Sequence, residues 1–259
     1  MDQKPLVSIV ILDVKDHYLL PLTLESILKQ DEKSYDITIA TRNILPKDLQ
    51  RLRDYRQEVQ FYHFDDDQAL SKIRNKMIDE VKGEYIHFLF PGEYYLSKYS
   101  LSYAKKKIEE KKYPDIVCFS LIMREVASPP RVYHVSFDLS LLGGEKFPTF
   151  AKDILFKKTS AIAVGKFDER YLGLEGFDLV NRIYLKKGTK QLCLRRVIVD
   201  YELQKIPPKL MRYFLSDLIM IIYRQYGFFK LLHWRIVKEI FDLLTYWIKS
   251  IRRYFVQAE

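Results

Sequence analysis

Two short stretches bring chemically useful residues to places where a fold can use them. The first is Gly83-Glu84-Tyr85-Ile86-His87-Phe88-Leu89-Phe90-Pro91-Gly92-Glu93, a nearly continuous apolar run broken by Pro91-Gly92. A run of this kind suits a parallel strand covered on both faces. In open α/β sheets ligands collect at the carboxyl ends of such strands, so a binding site is expected around Gly92 and Glu93. The second stretch is Asp65-Asp66-Asp67, three adjacent carboxylates after an apolar segment. They can hold a divalent cation, or cap the next helix, whose dipole favours negative charge. His17, His63, His87, His134 and His233 show no mutual metal spacing, and His87 is expected inside the fold or near the site. No Ser-His-Asp grouping, glycine-rich phosphate loop or zinc pattern is present, which removes the chemistries those motifs serve.

A sheet is needed to position these stretches. Leu6 to Leu12 reads as a strand rich in β-branched residues, ended by Asp13. From His17 to Gln30, Leu20, Leu24, Ile27 and Leu28 recur at helical spacing, with Pro21 in the first turn. Tyr35 to Ala40 and Val59 to Phe64 read as further strands, with a short helix over Leu49 to Arg56 between them. This βαβαβ start predicts right-handed crossovers and a parallel sheet. Helices over Ala69 to Val81 and Leu96 to Lys112 follow, then a strand over Asp115 to Met123 and a long loop from Val126 to Pro148. Lys105-Lys106-Lys107 on the second of these helices reads as a solvated face. Gly188 fits a helix C-cap.

Composition narrows the function classes. A chain of 259 residues, 48% hydrophobic and 14% aromatic, can bury a full core and is not disordered. The net charge of +9 suits a phosphorylated ligand, an anionic membrane surface or nucleic acid. Nucleic acid drops out because no readout motif accompanies the charge. Cys118 and Cys193 both lie in apolar runs and read as reduced core thiols, which fits a cytoplasmic location. The seven-residue apolar run at the start is too short for a signal peptide, and no run approaches the roughly 20 apolar residues of a spanning helix.

Three ordered segments resemble the family 2 glycosyltransferases. Val7-Ser8-Ile9-Val10-Ile11 with Leu24-Glu25-Ser26-Ile27-Leu28-Lys29-Gln30 is similar to that family's opening strand and helix. Leu70-Ser71-Lys72-Ile73-Arg74-Asn75-Lys76 with Lys82-Gly83-Glu84-Tyr85-Ile86-His87-Phe88-Leu89 is similar to its next helix and strand. Gly165-Lys166-Phe167-Asp168-Glu169-Arg170-Tyr171 with Leu174-Glu175-Gly176-Phe177-Asp178-Leu179 and Arg182 is similar to its acceptor-side segment. The resemblance implies a GT-A-like α/β domain, a mostly parallel sheet flanked by helices, followed here by a C-terminal helical appendage. It also implies transfer of a sugar from a nucleotide diphosphate donor, by inversion, to a glycan or lipid-linked acceptor in cell-surface polysaccharide assembly.

The same resemblance assigns roles and exposes departures. Arg74 stands where the family has its basic diphosphate-side residue. The family's Asp-x-Asp-Asp is Phe90-Pro91-Gly92-Glu93 here, so Glu93 is the sole candidate in that turn for a Mn2+ or Mg2+ ligand. The proline-threonine-tyrosine-asparagine after the first strand is Leu12-Asp13-Val14-Lys15, and the paired aspartates after the second are Ala40-Thr41-Arg42-Asn43. Asp13 and Arg42 are therefore candidates for a different nucleotide pocket. The family's Glu-Asp pair, whose Asp is the base, is Glu175-Gly176, leaving Glu175 or Asp178 as the candidate base. Two readings stay open: an active transferase with these replacements, or a GT-A-like binding or scaffolding subunit that has lost turnover.

A composition shift after Tyr201 divides the chain into a domain over 1–205 and an appendage over 206–259 opening at Ile206-Pro207-Pro208. The appendage reads as two helices broken near Gly227. Phe229, Leu232, Ile236, Ile240, Leu243, Leu244, Trp247, Ile248 and Ile251 fall close to one helical face. From residue 203 onward ten Lys or Arg stand against four Asp or Glu, a net of +6. Such a basic amphipathic segment, with Trp234, Tyr246 and Trp247, suits peripheral binding to the cytoplasmic membrane face. It equally suits packing on the first domain, a homo-oligomer or a glycosyltransferase partner.

Overall fold

The computed structural model describes residues 4–13, 17–42, 59–65, 67–124, 131–133, 154–202, 213, 216–221 and 223–224. The helix expected over Leu49 to Arg56, most of the loop from Val126 to Pro148, and the second of the two helices expected in the appendage, after Gly227, lie outside these residues. Among the described residues nine strands form one sheet: β1 (Val7–Asp13), β2 (Tyr35–Arg42), β3 (Val59–Phe64), β4 (Tyr85–Leu89), β5 (Tyr94–Tyr95), β6 (Ile116–Arg124), β7 (Arg131–Tyr133), β8 (Ile154–Lys157) and β9 (Gln191–Glu202). The helices are α1 (Leu20–Leu28), α2 (Leu70–Glu80), α3 (Ser100–Glu110), α4 (Lys158–Ala163) and α5 (Glu175–Leu185). The strand order is β3-β2-β1-β4-β8-β6-β9-β5, with β7 paired to β6.

The sheet has two halves with different logic. β3, β2, β1 and β4 are all parallel, as the βαβαβ pattern predicts. Beyond β4 the sheet is mixed: β8 runs antiparallel to both β4 and β6, β6 and β9 are parallel, and β5 is antiparallel to β9. Parallel strands stacked this way place the carboxyl ends of β1, β2 and β4 on one edge. Asp13 there is in register with Thr41, and Arg42 with Phe64.

Alternation along each strand feeds two cores. Val7, Ile9 and Ile11 of β1 and Ile37 and Ile39 of β2 pack with Leu20, Leu24 and Ile27 of α1 and Leu101, Ala104 and Ile108 of α3. Val10, Leu12 and Ala40 point the other way, to Ile73, Met77 and Ile78 of α2 and Leu179, Val180 and Ile183 of α5. Helices on both faces explain why these strands are apolar throughout rather than alternating. Entry into β4 is tight. The Gly83 N–H donates to Ser8 Oγ at 2.8 Å, and a Cβ on Gly83 would lie 2.4 Å from the Ser8 backbone nitrogen, so only glycine fits.

Helix α1 contributes more than its apolar stripe. Thr23, Ser26 and Gln30 follow at spacings of three and four, and so share one face. Thr23 Oγ1 accepts from Gly92 N–H at 2.9 Å and Ser26 Oγ from Tyr95 N–H at 3.1 Å. Buried Gln30 donates to Ser97 O at 2.8 Å and accepts from Leu101 N–H at 3.0 Å, at the start of α3. These side chains satisfy the backbone of residues 92–101, which has no continuous ladder of its own. The helix thereby fixes the path that leaves β4.

His87 sits in the middle of β4 and is fully buried, with Nδ1 2.7 Å from Tyr95 Oη. Its Nε2 has no hydrogen-bond partner among the described residues. The expected position inside the fold is thus the observed one. Burial disfavours the imidazolium and lowers the pKa from 6.5 to about 3. Between those values the unfolded chain binds a proton that the folded chain does not, so stability falls as pH falls, by about 1.4 kcal/mol per pH unit. Urea unfolding between pH 6.5 and pH 5 should show wild type losing stability more steeply than His87→Phe by about 1 kcal/mol per unit. Parallel profiles for the two proteins would contradict this account.

Candidate functional site

The path leaving β4 is the first component. Gly92 has φ +92°, a conformation that favours glycine, and its Cα faces Leu19, whose Cδ1 would lie 2.9 Å from an added Cβ. Glu93 N–H donates to Phe90 O at 3.0 Å, closing the turn. The Glu93 carboxylate folds back under it: Oε2 accepts from Phe90 N–H at 2.7 Å, and the side chain is buried. Glu93 therefore braces the turn from within. Among the described residues no three His, Cys, Asp or Glu side chains converge as metal ligands. The donor set around Glu93 does not fit a metal cradle, because a carboxylate oxygen committed to a backbone N–H inside the fold is poorly placed to face an ion at the surface.

Arg74 and Glu175 form the second component. Arg74, on the inner face of α2, is buried, and its Nη1 is paired with Glu175 Oε1 at the first residue of α5. Phenylalanine rings enclose the guanidinium. Its central carbon lies 5.3 Å from the ring centre of Phe167 and 5.8 Å from those of Phe88 and Phe90. Rings presented this way attract a cation and offset part of its desolvation. One polar atom on each partner, Arg74 Nε and Glu175 Oε2, is buried without a hydrogen-bond partner among the described residues. A buried donor and a buried acceptor on one ion pair, each with unused hydrogen-bonding capacity, are groups that a bound polar molecule would satisfy.

Asn75, the neighbour of Arg74, supports this enclosure. Its Nδ2 donates to Phe167 O at 2.9 Å, and its Oδ1 accepts from Phe167 N–H at 2.8 Å. Asn75 thus holds the backbone of the residue whose ring covers Arg74. The segment at Gly165-Lys166, with φ of +86° and +60°, is tied to α2 again by Lys166 to Asp79 at 2.6 Å.

The remaining candidates take other places. Buried Asp178 accepts from Arg182 Nε at 2.8 Å and Nη2 at 2.6 Å, and Arg182 also donates to Val164 O and Lys166 O. Asp178 therefore orients Arg182, on the same helix, and Arg182 ties α5 to the segment after α4. Arg42 Nη2 donates to Gln68 O, just ahead of α2, and its Nε has no partner among the described residues. Asp13 ends β1 on the same sheet edge, and its side chain lies outside the described residues. Asp65 and Asp67 are exposed, and Asp66 lies outside the described residues. Helix α2 opens after Ala69 with no side-chain cap, and a backbone bond from Gln68 N–H to Asp65 O closes the preceding turn. Neither a cation site nor a cap is formed by Asp65 and Asp67.

One residue outside the expected set reaches this region. Asp217, in the helical stretch 216–221, is buried, and Oδ2 accepts from Leu172, Gly173 and Leu174 N–H at 2.9, 2.8 and 3.1 Å. Burial raises its pKa, an effect that these three N–H groups oppose. The only sequence signal was an acid standing among excess positive charge in an apolar stretch. Among the described residues no helix is long and apolar enough to cross a membrane.

No protein-family model matches the chain, and no curated protein matches it. Solved structures do. S. aureus TarS, residues 1–349, superposes with a TM-score of 0.62 at 16% identity over 82% of this chain and 65% of that one. The same fragment bound to UDP-GlcNAc gives 0.60 at 15% identity over 82% and 66%. The mannosyltransferase PcManGT from Pyrobaculum calidifontis, bound to GDP-Man and Mn2+, gives 0.63 at 11% identity over 95% and 70%. The chain thus spans about two thirds of the TarS fragment, and only 39% of TarS in its longer structure. At these identities the likeness is one of fold, and the fold is the GT-A-like α/β arrangement of these nucleotide-sugar-bound structures.

The Asp178–Arg182 contact is open to a direct check. Asp178→Ala leaves a largely buried guanidinium without its carboxylate and should cost about 3 kcal/mol in chemical denaturation. Asp178→Asn, which keeps one acceptor, should cost less. A cost for Asp178→Ala below about 1 kcal/mol would show that the pair does not secure α5.

Proposed function

We propose that this chain is a glycosyltransferase-like protein of the family 2 type, with degenerate metal and base motifs. In this reading it binds a nucleotide diphosphate sugar at the carboxyl edge of β1, β2 and β4. It passes the sugar, with inversion, to a glycan or lipid-linked acceptor in cell-surface polysaccharide assembly. The observation that carries the reading is the Arg74–Glu175 pair, buried beside that edge with one donor and one acceptor left open. The solved structures of the same fold that hold UDP-GlcNAc or GDP-Man support the donor class.

In this mechanism Glu175 Oε2 takes the proton of an acceptor hydroxyl. The hydroxyl oxygen forms its bond to the anomeric carbon as the bond to the diphosphate oxygen breaks, and the electron pair leaves with the diphosphate. Arg74 Nε–H faces the negative charge that develops there, with Arg42 and Asp13 toward the nucleoside. Desolvation by the three phenylalanines strengthens each of these interactions. Glu93 holds the turn under the donor. A divalent ion, Mn2+ or Mg2+, would add counter-charge only with ligands beyond Glu93. The 206–259 appendage belongs to this proposal as the element that approaches the cytoplasmic membrane face, a second copy or a glycosyltransferase partner.

The alternative is a GT-A-like binding or scaffolding subunit without turnover. It is favoured by the commitments already present: Arg74 is paired and enclosed, Glu93 braces its own turn and Asp178 is held by Arg182. Calorimetry with UDP and GDP, with and without Mn2+, separates the readings. Binding of either nucleotide, together with turnover that Glu175→Gln lowers at least about 100-fold while nucleotide affinity stays within about twofold, supports transfer. Absence of binding to both nucleotides leaves the scaffold reading.

A further inference from the structure

Helix α5 begins with Glu175, and the residue in the capping position before it is Leu174, whose side chain cannot accept a hydrogen bond. The N–H of Leu174 itself, and those of the two residues leading into it, are met from elsewhere in the chain. The Asp217 carboxylate, 45 residues from Leu172, takes the N–H groups of Leu172, Gly173 and Leu174 on a single oxygen. The stretch that carries it is seated by buried Leu218 and Ile221, and by Arg224, whose Nη1 lies 3.5 Å from both Asp168 Oδ2 and Tyr171 Oη. The last of these N–H groups, that of Leu174, belongs to the residue directly before Glu175.

We propose that Asp217 is a positioning residue for Glu175: a cap delivered by the C-terminal segment that sets the first turn of α5 and aims the Glu175 carboxylate at Arg74. The proposal rests on the reading of Glu175 as the proton acceptor. The body of α5 is secured independently, by Leu179 and Ile183 in the core and by Asp178 to Arg182. Loss of the Asp217 contact therefore acts on the first turn alone, where Glu175 lies. A carboxylate at a helix N-terminus opposes the partial positive charge of that end, and here it does so one residue away from the acid it positions. The segment beyond residue 206 is in this respect part of the site rather than a separate attachment.

Amide exchange measured by NMR on the full chain, with steady-state kinetics, tests this. In Asp217→Asn the amides of residues 172–175 should exchange at least about tenfold faster than in wild type, while those of 179–183 stay unchanged. With a turned-over donor, kcat should fall at least about tenfold and KM for the donor should stay within about twofold. Asp217→Glu, which keeps the charge, should recover part of both losses. Wild-type exchange at 172–175 in Asp217→Asn overturns the proposal, and so does faster exchange spread through 179–183. Unchanged kcat beside faster local exchange overturns the positioning role. Wild-type protein that turns over no donor refutes the transfer reading instead, and the exchange data still decide whether Asp217 is the cap.

Discussion

Glu175 and Arg74 are taken out of water together, and most of the surrounding architecture follows from the need to make that tolerable. A guanidinium and a carboxylate each cost several kcal/mol to desolvate, and their attraction offsets this only when geometry is well fixed. Here the fixing comes from three directions. Phe88 and Phe90 extend from β4, Phe167 is pinned by Asn75, and α5 is anchored behind Glu175 by Asp178 and Arg182. Removing either partner would leave an uncompensated charge in an apolar enclosure. The adjacent residues Arg74 and Asn75 thus perform linked tasks, one carrying the charge and the other holding its cover.

The turn after β4 carries its one carboxylate inward rather than toward the sheet edge. A strand delivering its carboxyl end to the edge of an α/β sheet is a natural place for ligand-binding carboxylates. In this chain Glu93 is turned inward, and Thr23 and Ser26 of α1 hold the same segment from the other side. The result is a rigid floor with little ionic character of its own. The donors near this edge come from arginines: Arg74, paired with Glu175, and Arg42, which donates to Gln68 O.

The C-terminal segment alters how the chain is divided. Asp217 places a negative charge at the opening of α5, and Arg224 meets Asp168 in the preceding loop. These contacts tie a stretch beyond residue 206 to the loop that leads into Glu175.

The sequence by itself determined the parts of this protein that depend on local periodicity. Apolar runs in Val7 to Leu12 and Tyr85 to Leu89 gave buried strands, and the three-and-four spacing of Leu20, Leu24 and Ile27 gave α1. Even the parallel half of the sheet was legible, because βαβ connections leave few alternatives. What only the tertiary structure decided are pairings between distant residues. Arg74 meets Glu175 across 101 positions and Asp217 meets Leu172 across 45. The mixed order β8-β6-β9-β5 depends on how the second half of the chain closes on β4. The inward turn of Glu93 and the bond between Asp178 and Arg182 follow the same rule. A side chain's type says what it can bind, but burial on both faces of the sheet decides which partner is within reach, and that is set by packing rather than by spacing along the chain.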